Sequence, residues 1–254
     1  MNSVNDHQLA TDLATRAGAL LLEIRARLTA DGAPSALMKS EGDRRSHDFL
    51  MEALATTRPH DAVLSEEGTA YACHPDRAVT ARTWIIDPVD GTREYAEPPR
   101  TDWAVHVALA TNGFPVVGAV ALPALGFTLN TAEPSSTDDL PPLPVRPRIV
   151  VSRSRPPVEA LTVCDALGGE LVEMGSAGAK AMAVVRGKAD CYVHSGGQYE
   201  WDNCAPVAVA QAAGLYTSRI NGLPLTYGHA DPYLPDLVIC RTELAEAVMA
   251  ALAG

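Results

Sequence analysis

Trp84-Ile-Ile-Asp87-Pro88-Val89-Asp90-Gly91-Thr92 decides the reading of this chain. Its three apolar residues predict a buried strand, Pro88 predicts the end of that strand, and Asp87 and Asp90 then emerge where the backbone turns. Two carboxylates beside a Gly-Thr turn suit a divalent cation held against a phosphate, since hard cations such as Mg²⁺ take carboxylate oxygens and complete their shell with phosphate oxygens. Gly91 has no side chain to keep an anion away from the main-chain N–H groups, and a helix starting at Thr92 adds its positive end. The same residues also read as plain turn formers and helix caps. Phosphatases with an aspartyl nucleophile likewise end a strand in Asp and Gly-Thr. Their two acids lie closer in sequence than Asp87 and Asp90, which disfavours a covalent aspartyl intermediate here.

Upstream, Leu9, Leu13, Ala17, Leu20, Leu21, Ile24 and Leu28 follow helical spacing until Asp31-Gly32-Ala33-Pro34 ends the pattern. A second helix is predicted from Asp43 to Thr57, with Lys39 to Gly42 as a loop before it, and Ala62-Val63-Leu64 reads as a strand leading into Glu66-Glu67. Downstream, Trp103 to Leu129 reads as strands joined by Asn112-Gly113 and by Pro123 to Gly126, hence an antiparallel sheet. Residues 131–147 are rich in Pro, Ser, Thr and Asp without periodicity. They divide the chain into an N-terminal half, 1–140, and a C-terminal α/β half, 141–254. In the second half, strand-like Ile149–Val151, a helix from about Pro156, strand-like Leu171-Val172, a helix after Ser176 and strand-like Cys191–Val193 alternate.

With 254 residues and 47% hydrophobic content the chain can build a full core. No apolar run approaches the roughly 20 residues that span a bilayer, and Met1 to Asp6 lacks a basic segment followed by an apolar one, so the expectation is a cytoplasmic protein with no membrane partner. A net charge of −11 argues against non-specific binding to nucleic acid. Cys73, Cys164, Cys191, Cys204 and Cys240 form no Cys-x-x-Cys pair, so neither a zinc site nor a disulfide framework is indicated.

Three separated motifs, Ser65-Glu66-Glu67, Trp84 to Thr92, and Trp201-Asp202-Asn203-Cys204-Ala205-Pro206 with Ala212-Ala213-Gly214, together resemble the inositol monophosphatase superfamily of metal-dependent phosphatases. Gly42-Asp43-Arg44, Asp90 to Tyr95, Ser152-Arg153-Ser154 and Gly175 to Lys180 are similar to its 3'(2'),5'-bisphosphate nucleotidase branch, and Asp231 to Asp236 with Gly175 to Glu200 to the actinobacterial form. The resemblance implies a layered α-β-α-β-α sandwich of the α/β class, two or three Mg²⁺ ions, sensitivity to lithium and a homodimer. The implied substrate is adenosine 3',5'-bisphosphate (PAP) or its sulfated relative (PAPS), small phosphorylated molecules of sulfate assimilation. Some relatives also accept fructose 1,6-bisphosphate or inositol phosphates, and a non-catalytic phosphate sensor on the same fold is the alternative of another class.

Carried onto this sequence, the resemblance makes Glu66, Asp87, Asp90 and Asp202 metal ligands, with the Val89 carbonyl as a further one. Glu66 and Thr92 would hold and activate the attacking water. Asp43 matches a loop aspartate near that water, while as a residue it reads equally as the cap of the second helix; Asp202 likewise reads as a cap. Substrate contacts fall on Gly91, Thr92, Arg93, Ser152, Arg153, Ser176 and Lys180, the last two as posts for a second phosphate at a helix start made of small residues. His194 or Tyr199 can flank a base. Ser195 stands where inositol-specific relatives carry a glutamate, which counts against inositol monophosphate.

Overall fold

The computed structural model describes residues 5–68 and 80–254. Helix α1 (Asp6–Ala30) begins behind Asn5, whose side chain accepts the Gln8 N–H, and it buries the stripe from Leu9 to Leu28. Helix α2 (Ser35–Thr57) starts directly after Pro34. The stretch Lys39 to Gly42 is therefore helical, and Asp43 lies inside α2, neither on a loop nor at a cap. Gly32, at φ 65°, turns the chain out of α1, and Pro34 caps α2 in an extended conformation that its fixed φ suits.

Strand β1 (Ala62–Ser65) pairs in parallel with β2 (Arg82–Asp90), and β3 (Ala104–Thr111), β4 (Phe114–Leu122) and β5 (Phe127–Asn130) follow antiparallel in that order. Pro88 does not end β2. The strand runs on to Asp90, with its register against β3 broken between Asp87 and Asp90. A proline fits such a break because it has no N–H to leave unpaired.

The second sheet contains β6 (Arg148–Ser152), β7 (Glu170–Met174), β8 (Cys191–Ser195), β9 (Tyr216–Ser218) and β10 (Asp236–Cys240), in the order β7-β6-β8-β10-β9. β6 is parallel to β7 and β8, and β10 is antiparallel to β8 and β9. Residues 131–147 connect the two sheets. Between the strands lie the single turn α3 (Thr92–Tyr95) and helices α4 (Val158–Ala166), α5 (Ala177–Val185), α6 (Glu200–Ala212) and α7 (Ala245–Ala253).

Helices α1 and α2 cover the outer face of the first sheet, α5 and α6 fill the space between the sheets, and α4 and α7 cover the outer face of the second. The result is the α-β-α-β-α sandwich. Along β2, Trp84 and Ile86 pack toward α1 and α2, while Ile85 joins the core around α5 and α6. Strand alternation places Asp87 on the Ile85 side, facing the layer that contains α6. Both faces of β2 are covered, which is why its sequence is a continuous apolar run rather than an alternating one. Cys164, Cys191, Cys204 and Cys240 are free and buried, and Cys73 lies outside the described residues, as does the start of the N-terminus before Asn5. No helix among the described residues is long and apolar enough to cross a membrane.

Candidate active site

The end of β2 and the start of α6 bring Asp87, Asp90 and Asp202 together, each offering a carboxylate oxygen within 4.8 Å of the others. Local bonds fix each one. Asp87 Oδ1 accepts the Val89 N–H at 3.0 Å, Ser46 of α2 donates its hydroxyl to the Pro88 carbonyl at 2.8 Å, and the Thr92 hydroxyl reaches the Val89 carbonyl at 3.1 Å. Gly91 turns the chain at φ 82°, a conformation that a side chain would strain. Asp202 is the third residue of α6 rather than its cap, and its carboxylate accepts the Tyr199 N–H at 2.7 Å to close a capping box. Only one of its oxygens is used there, so the other remains available to a cation.

Burial lifts the Asp87 carboxyl well above the usual range, and the negative charges of Glu66, Asp90 and Asp202 lift it further. Glu66, which hydrogen-bonds Asp87, is pushed up to about 8 by desolvation and by Asp202. Asp202 rises to about 7 from burial and from Asp90. Asp43, on the inner face of α2, rises to about 7 from burial and from Glu67, while a hydrogen bond from Thr92 holds it back. The Thr92 hydroxyl thus lies between the Val89 carbonyl and Asp43 and has one proton to give.

Asp90 behaves oppositely. Burial works against its charge, yet His106, the Ser176 hydroxyl and Lys180 hold its carboxyl down to about 2. Ser176 Oγ donates to it at 2.5 Å, and the N–H groups of Ala177 and Gly178 at 3.0 and 2.6 Å. The α5 N-terminus therefore receives an anion, as its small residues predict, but that anion is a side chain of this chain.

Four acids with raised pKa values and an all-oxygen donor set, with no arginine or lysine bonded to Asp87 or Glu66 among the described residues, fit a hard divalent cation. The cluster can hold a metal ion.

Several predicted substrate contacts are placed elsewhere. Lys180 is buried, and its Nζ donates to the Gly175 and Ser176 carbonyls at 3.0 and 2.6 Å and lies over the Tyr192 ring, so it does not point into the acidic site. Ser176 is buried against Asp90. Arg153 bonds Glu94 at 2.6 Å and Glu97 at 2.8 Å, fastening the second sheet to the segment after Asp90. Arg93 is exposed and pairs with Glu97 at 3.2 Å. Tyr199 stacks on Trp201, with 4.7 Å between ring centroids. Ser152, Arg155, His194, Ser195, Gly196 and Gly197 line a cavity of about 310 Å³ at the carboxyl ends of the parallel strands β6 and β8.

Sequence reasoning misses His106. It lies on β3 directly opposite Asp87, fully buried, with Nε2 3.1 Å from Asp90 Oδ2 and Nδ1 2.9 Å from the Trp201 carbonyl. Burial pulls this imidazole down, but Asp90 and the Trp201 carbonyl carry it above its usual value. A signal was present: His106 is the one ionisable side chain in the run Ala104 to Ala110.

Residues 5–253 match the inositol monophosphatase family. Among curated proteins, the 3'-phosphoadenosine 5'-phosphate phosphatase of Mycobacterium bovis is 46% identical over 245 residues, covering 93% of this chain and 89% of that protein. The 3'(2'),5'-bisphosphate nucleotidase CysQ of Escherichia coli K12 is 30% identical, covering 76% of this chain and 80% of that one. Among solved structures, the inositol monophosphatase from Anabaena superposes with a TM-score of 0.74 at 23% identity, over 97% of this chain and 94% of the other, a likeness of fold.

Proposed function

The chain belongs to the inositol monophosphatase family, and from that premise we propose that it is a Mg²⁺-dependent phosphatase that removes the 3'-phosphate of PAP. The acid cluster around Asp87, in which neither Asp87 nor Glu66 is bonded by an arginine or lysine among the described residues, carries the proposal, and the naming of the mycobacterial relative supports the substrate. Asp87, Asp90, Asp202, Glu66 and the Val89 carbonyl would hold the metal. Bound there, two or three Mg²⁺ ions would neutralise the phosphate, lower the pKa of an attacking water and stabilise the leaving oxygen.

The chain's own residues do the rest. Glu66, on the open side of the cluster, orients the water. Thr92 stands at its other side, takes the proton that the attacking water gives up and passes its own to Asp43, whose value of about 7 poises it to accept one near neutral pH. The Gly91-Thr92 turn meets the phosphate. The nucleoside end lies toward the crevice at the ends of β6 and β8, where Ser152, Arg155 and His194 stand, the edge of an open α/β sheet that ligands favour. Ser195, in place of an acid, leaves that crevice without a partner for inositol hydroxyls. On this reading the enzyme is cytoplasmic, acts alone or as a homodimer on PAP and PAPS, and has no nucleic-acid or membrane partner.

Phosphate release from PAP, PAPS, inositol 1-phosphate, fructose 1,6-bisphosphate and AMP, with and without Mg²⁺ and Li⁺, tests it. Mg²⁺-dependent turnover highest on PAP and suppressed by Li⁺ is expected. Preference for inositol 1-phosphate would overturn the substrate, and metal-independent turnover would overturn the mechanism.

A further inference from the structure

Cys191 and Cys240 face each other across β8 and β10, in a register that runs unbroken from Asp236 opposite Ser195 to Cys240 opposite Cys191. The kind of pair they form follows from their neighbours. Asp190 and Arg241 are the next opposed residues, and the Arg241 N–H donates to the Asp190 carbonyl at 3.0 Å. Hydrogen-bonded and non-hydrogen-bonded pairs alternate along an antiparallel ladder, so Cys191 and Cys240 form a non-hydrogen-bonded pair, in which opposed Cα atoms lie only about 4.5 Å apart. At the far end of the ladder the Gly196 N–H donates to the Pro235 carbonyl at 2.6 Å, which keeps the same alternation.

A disulfide spans Cα separations of about 4.4 to 6.8 Å, so neither strand has to move to be bridged. The two thiols already touch, since Cys191 is hydrogen-bonded to Cys240. Strand alternation turns Tyr192 toward the layer that contains α5 and α6 and the two cysteines away from it, across the sheet from the acid cluster. There they join Val193, Val238, Leu244 and Val248 in the apolar layer beneath α4 and α7. Both cysteines are fully buried, but the cover is shallow: α7 buries only Val248 completely, and elements with few buried contacts open locally.

We infer that Cys191 and Cys240 are a reversible oxidation site, which closes into a cross-strand disulfide when a peroxide reaches it past α7. The bond to Cys240, then burial, push the Cys191 thiol well above its usual value and keep its proton in place, so Cys240 attacks first. Its sulfur bonds one oxygen of hydrogen peroxide, the O–O bond breaks, and the departing hydroxide takes the Cys240 proton and leaves as water. The Cys191 sulfur then attacks the resulting sulfenic sulfur, the S–O bond breaks, and hydroxide leaves as water with the Cys191 proton. Two thiols give up two electrons, and one peroxide becomes two waters. The bond closes the loop 191–240, which contains α6 and β9, and so restrains the unfolded chain more than the folded one.

The test exposes the reduced protein to hydrogen peroxide, digests it without reductant and maps links by mass spectrometry, with melts and PAP turnover measured before and after. A Cys191–Cys240 link, a melting midpoint raised by roughly 5 to 10 °C and recovery of the starting midpoint in dithiothreitol are expected. Turnover should stay within about twofold, because the link stands across the sheet from the acids. Cys191→Ser should lose the link and the rise in melting midpoint. Val248→Ala, which keeps both thiols and loosens α7, should form the link several-fold faster than the parent, and an equal rate would overturn the route past α7. Sulfinic acid without a link, a link made through another cysteine, or an unchanged melting midpoint in the linked protein would overturn the inference itself. The link is mapped on the unmutated chain, so the test survives a Cys191→Ser that does not fold. Neither mapping nor melting needs a substrate, so failure of PAP as the substrate would leave the result standing.

Discussion

Asp87 and Asp190 are both buried carboxylates at strand ends, and the chain treats them in opposite ways. Asp190, just before β8, accepts from Arg148 Nε at 2.9 Å, from Nη2 at 3.0 Å and from its main-chain N–H at 2.8 Å, with Arg241 3.8 Å away. Asp87 accepts the Val89 N–H and otherwise meets Glu66, Asp90 and Asp202. A buried charge is costly unless it is paired. At Asp190 the pairing is written into the chain, so the site is finished on folding. At Asp87 the chain adds more negative charge where it might have placed an arginine, and that is the mark of a site built to receive a cation from outside.

The largest effects should come from removing the charge at each. Asp87→Asn should lower turnover of PAP by about three orders of magnitude, because several kcal/mol of charge stabilisation through the metal is lost. Measured in EDTA at pH 8, the same variant should be no less stable than the parent, since it loses one of four mutually repelling acids. Asp190→Asn should do the reverse, costing about 3 kcal/mol by leaving buried Arg241 and half-buried Arg148 without the charge they face, with kcat unchanged. Phosphate release and denaturant melts read both. A destabilised Asp87→Asn in EDTA, or a catalytic defect in folded Asp190→Asn, would break the comparison.

A second effect separates the two clusters by pH. Asp87, Glu66, Asp202 and Asp43 all have folded pKa values above their unfolded ones, so between about pH 4 and pH 8 the folded metal-free protein binds more protons than the unfolded chain. Its stability therefore falls as pH rises through that window. Asp87 and Asp202 carry most of the loss between pH 5 and pH 8, since Glu66 and Asp43 are discounted for the solvent beside them. Asp90 has the opposite sign, and its share is lost only as pH falls from about 4 toward 2. Saturating Mg²⁺ should flatten the slope between pH 5 and pH 8 and release protons on binding. Melts in EDTA and in Mg²⁺ across that range check this, and equal slopes in the two would remove the metal from the account.

What could be read from the sequence follows the range of the forces involved. Asp87 and Asp90 were legible because a short apolar strand and its turn are local, and the layered order of helices and strands was legible from periodicity and the motifs. Asp43 was misplaced because Lys39-Ser40-Glu41-Gly42 reads as a loop, whereas Gly42 is needed inside α2, where a Cβ would lie 2.5 Å from the Tyr95 ring. Pro88 was read as a stop because the register break that accommodates it is made with β3, a partner that sequence does not display. Lys180 after a run of small residues looks like a phosphate post. Only packing shows that its own main chain takes the ammonium. His106 was passed over for the same reason, because its acceptors sit on β2 and α6.

The smallest effect sharpens the comparison most. Arg93 is the arginine nearest in sequence to Asp90, and it is one that could have played the part Arg148 plays for Asp190. It is instead 54% exposed at its side chain and paired with Glu97 four residues along, on the surface. Such a pair contributes little, so Arg93→Ala should change stability by less than about 0.5 kcal/mol. Its pH slope in EDTA should match that of the parent, because a cation that does not face Asp87 cannot offset the repulsion there. If Arg93 instead meets the substrate as it enters, KM for PAP will rise a few-fold while kcat and the pH slope stay put. A steeper slope in Arg93→Ala would be the damaging result: it would mean that Arg93 already supplies a counter-charge to Asp87, and the difference from Asp190 would be one of degree.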